Sequence, residues 1–269
     1  MQGESPACFQ WWLTRNILNF SLSSMPDFSK RSYQKELLDR DDIPFEDIKQ
    51  NMHELETINT FLGGHNITLA GIKKLMSRVS HPPAFGVAHP NTIYICEIGC
   101  GGGDNLRAIQ HYCKKKSINI KLIGIDINPH CIAYAQSRKE NEGIQFICSD
   151  YATASFTQKP DIIFSSLFCH HFTENELQQQ FLWMKKHSSL GFFVNDLHRH
   201  TLAYHSIKLL TTLFSKSYLV KNDAPLSVAR GFKKNELTEL LQQSSIIHYQ
   251  LKWKWAFRWL LIYHKPKEN

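Results

Sequence analysis

Two kinds of chemistry stand out in the middle of this 269-residue chain. The first is a ligand cradle. Glu97-Ile98-Gly99-Cys100-Gly101-Gly102-Gly103-Asp104 sets alternate glycines behind a carboxylate, and glycines at such a turn let bare backbone approach a ligand. A second carboxylate, Asp126, closes the apolar run Lys121-Leu122-Ile123-Gly124-Ile125. The other chemistry is proton transfer. Cys169-His170-His171-Phe172 follows the apolar run 161–168, and Asn195-Asp196-Leu197-His198-Arg199-His200 follows the run 190–194. Histidine is the side chain whose charge changes near neutral pH, so His170 and His171 are the first candidates for a general base and His198 is the second.

The glycine spacing narrows what the cradle can hold. A dinucleotide turn runs G-x-G-x-x-G, its third glycine opening a helix beneath a pyrophosphate. Here the position five after Gly99 is Asp104, and an anionic side chain there repels phosphate. What stands instead is an acid two residues before the first glycine, with glycines at 99, 101 and 103. This pattern, together with Asp126, resembles motif I of the class I methyltransferases that use S-adenosylmethionine. By motif it is most similar to the ubiquinone and menaquinone biosynthesis enzymes and kindred small-molecule methyltransferases. The resemblance implies an α/β, Rossmann-like seven-stranded sheet with helices on both faces, and S-adenosyl-L-methionine as cofactor. It also implies that Glu97 is tied to the ligand's ammonium end and that Gly99, Gly101 and Gly103 let the backbone pass the amino-acid and ribose portions. Asp126 would bind both ribose hydroxyls and Asp150 the adenine amine, with Ile127, Tyr151 and Leu167 completing the cofactor site.

Several elements must bring these residues to one crevice. Ile93 and Ile95 lead into the glycine turn, and Leu106, Ile109, Tyr112 and Cys113 recur behind it at helical spacing, so the stretch 91–128 reads as a βαβ unit. Pro129 opens a helix to about 139, 144–149 is a strand ending on Asp150-Tyr151, and 161–168 is a buried strand. On a strand continuing past 168, neighbouring histidines face opposite ways, so one of the pair would reach the acceptor. Thr173 with Glu176 is a capping box that opens a helix to about 187. In an open α/β sheet, ligands sit at the carboxyl ends of the strands, which is where both histidine segments fall.

The flanking segments set the expected organisation. Residues 1–24 are an extension of uncertain role, and 25–88 form a helical cap in which Arg31, Tyr33 and His65 are candidate pocket residues. Three prolines and Gly86 in 81–90 mark a hinge into the methyltransferase domain at 89–269. Within it, about 201–231 is expected to form a lid, its first helix turning Ile207, Leu210, Leu213 and Phe214 inward and breaking near Asn222-Asp223-Ala224-Pro225. The tail alternates Leu251, Trp253, Trp255, Phe257 and Trp259 with Lys252, Lys254 and Arg258, the period of one or two half-exposed strands.

Composition sets the outer limits. A hydrophobic fraction of 42% with 20% charged residues is that of an ordinary folded protein. The net charge of +7 is spread along the chain and reads as a solvated surface more readily than as a nucleic-acid footprint. Seven cysteines without a C-x-x-C pair read as reduced core thiols in a cytoplasmic protein. No run reaches the roughly 18 apolar residues of a membrane span, although peripheral membrane contact stays open. Aromatic and aliphatic residues throughout the expected lid favour a small hydrophobic or aromatic acceptor, such as a phenolic, quinol or polyketide-like compound, methylated at oxygen or carbon with a histidine as base. No metal is expected, because the aspartate-rich magnesium pattern of catechol-type enzymes is missing. An RNA methyltransferase is the alternative, with a nicotinamide-dependent oxidoreductase or a non-catalytic cofactor-binding protein behind it. The acceptor, the attacked atom and the oligomeric state stay open at this level.

Overall fold

Apolar runs without a polar face form the central strands of one sheet, buried from both sides. The computed structural model describes residues 26–40, 42–77 and 92–266. Its strands are β1 (Ile93–Ile98), β2 (Ile120–Asp126), β3 (Ile144–Cys148), β4 (Ile162–Ser166), β5 (Gly191–Leu197), β6 (Tyr249–Lys254) and β7 (Arg258–His264). They lie in the order β3-β2-β1-β4-β5-β7-β6. β1 to β5 are parallel, and β7 runs antiparallel between β5 and β6. The chain therefore reverses its direction of travel across the sheet between β1 and β4, and a ligand crevice opens at the carboxyl ends on either side of such a reversal. Glu97 stands there in register with Gly124 of β2 and Phe164 of β4.

The helices are α1 (Phe45–Phe61), α2 (Gly64–Met76), α3 (Asp104–Lys115), α4 (Pro129–Ser137), α5 (Glu174–His187), α6 (Thr201–Phe214), α7 (Tyr218–Arg230) and α8 (Lys234–Gln243). Strand alternation divides the core between the two faces of the sheet. Phe192 packs with Leu177, Phe181 and Met184 of α5 and Leu237 and Leu241 of α8, whereas Phe193 packs with Ile72 and Leu75 of α2 and Leu106 and Ile109 of α3. α2 lies close on the sheet, since a methyl group at Gly71 would stand 2.6 Å from the Phe193 ring. α1 crosses to the ligand side, where Ile48 and Met52 join Cys131 and Tyr134 of α4 and Leu219 of α7. Among the described residues no helix is long and apolar enough to cross a membrane.

The structure changes several sequence-based expectations. α6 turns Ala203, Ile207 and Thr211 inward, while Leu210, Leu213 and Phe214 are exposed. The reason is geometric: α6 packs chiefly on α7, and one neighbouring helix covers only the i, i+4, i+8 row. The expected break at 222–225 lies inside α7, which carries Pro225 within it. Proline removes one backbone donor there, and packing of Leu219, Val220, Val228 and Ala229 keeps the helix continuous. Cys148 is exposed, whereas Cys96, Cys100, Cys113, Cys131 and Cys169 are buried free thiols as expected. The tail forms the β6–β7 pair. β7 is buried almost throughout, which leaves Trp253 and Trp255 at the surface and Trp259 in the core. The extension at 1–24 and the hinge at 81–90 lie outside the described residues.

Candidate active site

The turn after β1 has the backbone of a cradle. Gly99, Gly101 and Gly103 adopt φ of 67°, 49° and 75°, a region costly for any residue with a Cβ. Gly99 is doubly constrained, because an added Cβ would lie 2.1 Å from the Phe168 ring. The Gly101 N–H donates to Asp126 Oδ2 at 2.8 Å and the Asn128 N–H donates to Oδ1 at 2.9 Å, so the β2 carboxylate is tied to the turn. Met52 of α1 lies over it, with Sδ 3.3 Å from where a Gly101 Cβ would stand.

Glu97 is 1% exposed. Its Oε1 accepts from Asn105 Nδ2 at 3.2 Å, whereas its buried Oε2 has no hydrogen-bond partner. Burial pushes this carboxyl well above the usual carboxylate range, and the neighbouring charges of Asp104 and Asp126 add to the effect. A buried carboxyl oxygen with no partner, beside a glycine turn, is the complement of a ligand ammonium, and in this respect the residues present fit S-adenosylmethionine. Asp104, at the start of α3, accepts from Asn59 Nδ2 at 2.8 Å and pairs with His65 Nε2 at 2.7 Å. The helix terminus that would receive a pyrophosphate thus carries a carboxylate clamped from α1 and α2.

The other expected cofactor residues surround this turn at the strand ends. Ile127 is 70% exposed after β2. Asp150 is exposed and accepts from the Ala152 N–H at 2.9 Å, while Tyr151 is half-buried edge-on to Phe168, Phe172 and Trp183. Leu167 takes a φ of 54° and donates its N–H to the Asn195 carbonyl at 2.9 Å.

The histidine pair departs from the expected arrangement. Residues Cys169–His171 leave the strand in a 3-10 turn, so the two rings face the same way, their centroids 4.5 Å apart. His170 is 2% exposed; Nδ1 lies 2.8 Å from Asp196 Oδ1, and Nε2 lies 3.4 Å from Glu36 Oε1. His171 Nε2 lies 3.7 Å from Glu36 Oε2, and its Nδ1 lies 3.2 Å from Asp39 Oδ1. Burial disfavours charge on His170, but Asp196 and Glu36 together push its pKa up to about 9. Arg31 and Arg230 hold the turn from outside the ring cluster. Both donate to the His170 carbonyl, Arg31 also to that of Phe172 and Arg230 also to that of His171. Tyr33, its neighbour on the same segment, is exposed.

His198 does not join the pair. Its Nδ1 accepts from the Trp253 indole N–H at 3.2 Å, and its ring lies among Phe257, Trp259 and His200 at the β6–β7 end of the sheet. Arg199, expected at the crevice, is buried instead and donates to the Gly231 carbonyl and to Glu236. Sequence reasoning missed Glu36 and Asp39 altogether. They come from a short segment far from residue 170, and no local pattern marks them.

A five-stranded parallel run, a carboxylate-flanked glycine turn at its switch point and an antiparallel strand inserted at one side define a class I methyltransferase domain. Residues 95–219 match the family described as methyltransferase domain, the S-adenosylmethionine-dependent class that this fold and glycine turn define. Its fold is similar to that of the plantazolicin methyltransferase BpumL in complex with SAH, at 19% identity and a TM-score of 0.57 over 82% of this chain and 90% of that one. It is similar to human N-acetylserotonin methyltransferase in complex with SAM, at 15% identity and a TM-score of 0.55 over 82% and 56%. The magnesium protoporphyrin IX methyltransferase of Synechocystis PCC 6803 with bound SAM aligns at 12% identity and a TM-score of 0.50 over 78% and 84%. At such identities the likeness is one of fold. No curated protein matches the chain by sequence.

Proposed function

We propose that the chain methylates a small hydrophobic or aromatic acceptor at oxygen or carbon, a phenolic, quinol or polyketide-like compound. The observation that carries the reading is the buried, unpartnered Glu97 Oε2 beside three left-handed glycines. Bound there, S-adenosylmethionine supplies an electrophilic methyl group on a sulfonium. Glu97 holds the ammonium end, Asp126 the ribose hydroxyls and Asp150 the adenine amine, with Ile127, Tyr151 and Leu167 alongside. The chain's main task is then to align an acceptor lone pair with the methyl–sulfur bond, since an in-line displacement is accelerated chiefly by positioning. Phe168, Phe172 and Tyr151 form an edge-to-face aromatic cluster next to the glycine turn, and such a wall suits an apolar ring.

The acceptor's proton is handled at the Glu36–His170–His171 cluster. His170 is locked between Asp196 and Glu36 and acts through position. His171, with 22% of its side chain exposed and Asp39 on Nδ1, is the member that reaches the acceptor. His198, held by Trp253 away from the pair, takes no part in this reading.

Calorimetry with S-adenosylmethionine and with NADH is the first test, followed by incubation with simple phenols and quinols and mass spectrometry for the gain of one methylene. Saturation by the sulfonium nucleoside is expected. Saturation by NADH alone would overturn the reading.

A further inference from the structure

We propose that Glu36, His170 and His171 hold a divalent transition-metal cation at the acceptor end of the crevice. The inference deepens the methyl-transfer reading and rests on it only for the role given to the cation. One ligand atom from each residue can be chosen so that all lie within 4.8 Å of one another. The 3.4 Å and 3.7 Å separations between the imidazole Nε2 atoms and the Glu36 oxygens are longer than the usual N–H···O hydrogen bond of about 2.7–3.2 Å. Two donors each about 2.0–2.2 Å from a shared cation stand roughly 3 to 3.5 Å apart, close to these separations. His170 Nε2 is fully buried with no hydrogen-bond partner, a lone pair or N–H aimed into this gap.

The surroundings are those of a ligand shell. The other nitrogen of each ring faces a carboxylate, Asp196 for His170 and Asp39 for His171, which fixes the tautomer that leaves Nε2 free to coordinate. The Ser227 hydroxyl donates to Glu36 Oε1 at 2.7 Å and orients that carboxylate. Glu36, Asp39 and Asp196 face the two imidazoles with carboxylates, while Arg31 and Arg230 grip the backbone carbonyls of the turn and leave the ring nitrogens to the carboxylates. Two imidazoles and one carboxylate suit Zn2+, Fe2+, Co2+ or Ni2+, whereas Mg2+ and Ca2+ prefer sets made only of oxygen.

Three protein ligands leave coordination positions open, and the partly exposed His171 puts them on the crevice side. An acceptor hydroxyl taking one of them gives up its proton to solvent more readily and keeps the electron pair on oxygen. That pair forms the bond to the methyl carbon, while the pair of the broken carbon–sulfur bond stays on sulfur. His171 is then a ligand, and the cation does by Lewis acidity what a free imidazole does by accepting the proton.

The test uses the full chain without an affinity tag. Metal content is measured after dialysis, and Co2+ is titrated while the visible spectrum is followed, on the unaltered chain and on E36Q, H171N and D196N. One Co2+ per chain with ligand-field bands is expected, displaced by Zn2+. E36Q and H171N should weaken uptake at least tenfold, and D196N about 10- to 100-fold through His170. Far-ultraviolet circular dichroism and cofactor calorimetry on each variant show that it is folded. A folded chain that takes up no stoichiometric Co2+ or Zn2+, or uptake indifferent to both E36Q and H171N, overturns the cation site. Cofactor binding without metal uptake removes the cation alone, and metal uptake without cofactor binding removes methyl transfer alone.

Discussion

Glu97 shows how one side chain can be costly in the free protein and useful in the complex. Its carboxyl is held above the usual range by burial, so the free protein keeps that proton to a higher pH than an exposed carboxylate does, and a bound ammonium favours the ionised form. Cofactor binding is therefore expected to release a proton and to tighten as pH rises toward the raised pKa. Calorimetry in two buffers of different ionisation heat measures this, and proton uptake would contradict it. Replacing the charge by E97Q should weaken cofactor binding about 10- to 100-fold, from the roughly 1.5–3 kcal/mol that a hydrogen bond to a charged group contributes. Gly99 makes the complementary case for backbone. With φ of 67° and the Phe168 ring 2.1 Å from an added Cβ, G99A must displace that ring and strain the turn. A loss of about 1–3 kcal/mol in denaturant unfolding and no detectable cofactor binding are expected. The glycines and Glu97 were legible in the sequence because spacing along a turn is local. The partner set of His170 was not, because Glu36 and Asp196 reach it only through the fold.

At the scale of elements, the clamp between α1, α2 and the start of α3 joins the N-terminal helices to the cofactor turn. Asp104 is half-buried, which disfavours its charge, yet His65 and Asn59 hold its carboxyl below the usual range. Because the folded pKa is the lower one, its contribution to stability is complete above pH about 4 and is lost as pH falls through the folded value. D104N should destabilise the chain by about 1–3 kcal/mol at pH 7 and flatten the acid limb of the stability profile, read by urea unfolding at several pH values. An unchanged limb would remove Asp104 from that role. The elements differ in legibility for reasons of the same kind. Thr173 and Glu176 close a capping box within one turn, so α5 is marked by its own residues. The inward face of α6 depends on which row of side chains α7 covers, and an apolar helix with several candidate faces does not announce that choice. The 3-10 turn at Cys169–His171 is likewise set by Arg31, Arg230 and Asp196 gripping its backbone, which carries both rings to one side.

Across the whole molecule, the segment bearing Arg31, Glu36 and Asp39 lies across the β4 end and α7 and brings into the crevice carboxylates that the sheet itself does not supply. The net charge of +7 belongs to the same scale. Trp253 and Trp255 are exposed beside Lys252, which is the composition of a stacking surface, but β6 is the edge strand of the sheet, and its edge position accounts for the exposure without a ligand. Fluorescence anisotropy with single-stranded RNA at low salt should therefore give no saturable binding that weakens with salt, and a steep salt dependence would favour the RNA reading. The sequence by itself determined the βαβ unit, the run of parallel strands, the cofactor class and the histidine segments, because each rests on periodicity or on spacing within a few tens of residues. Only the tertiary structure decided that His170 and His171 share one side, that His198 belongs to a different cluster and that Glu36 and Asp39 meet the pair. Those contacts join residues remote in the chain, and such pairing comes from packing and charge complementarity between elements, which no local pattern encodes.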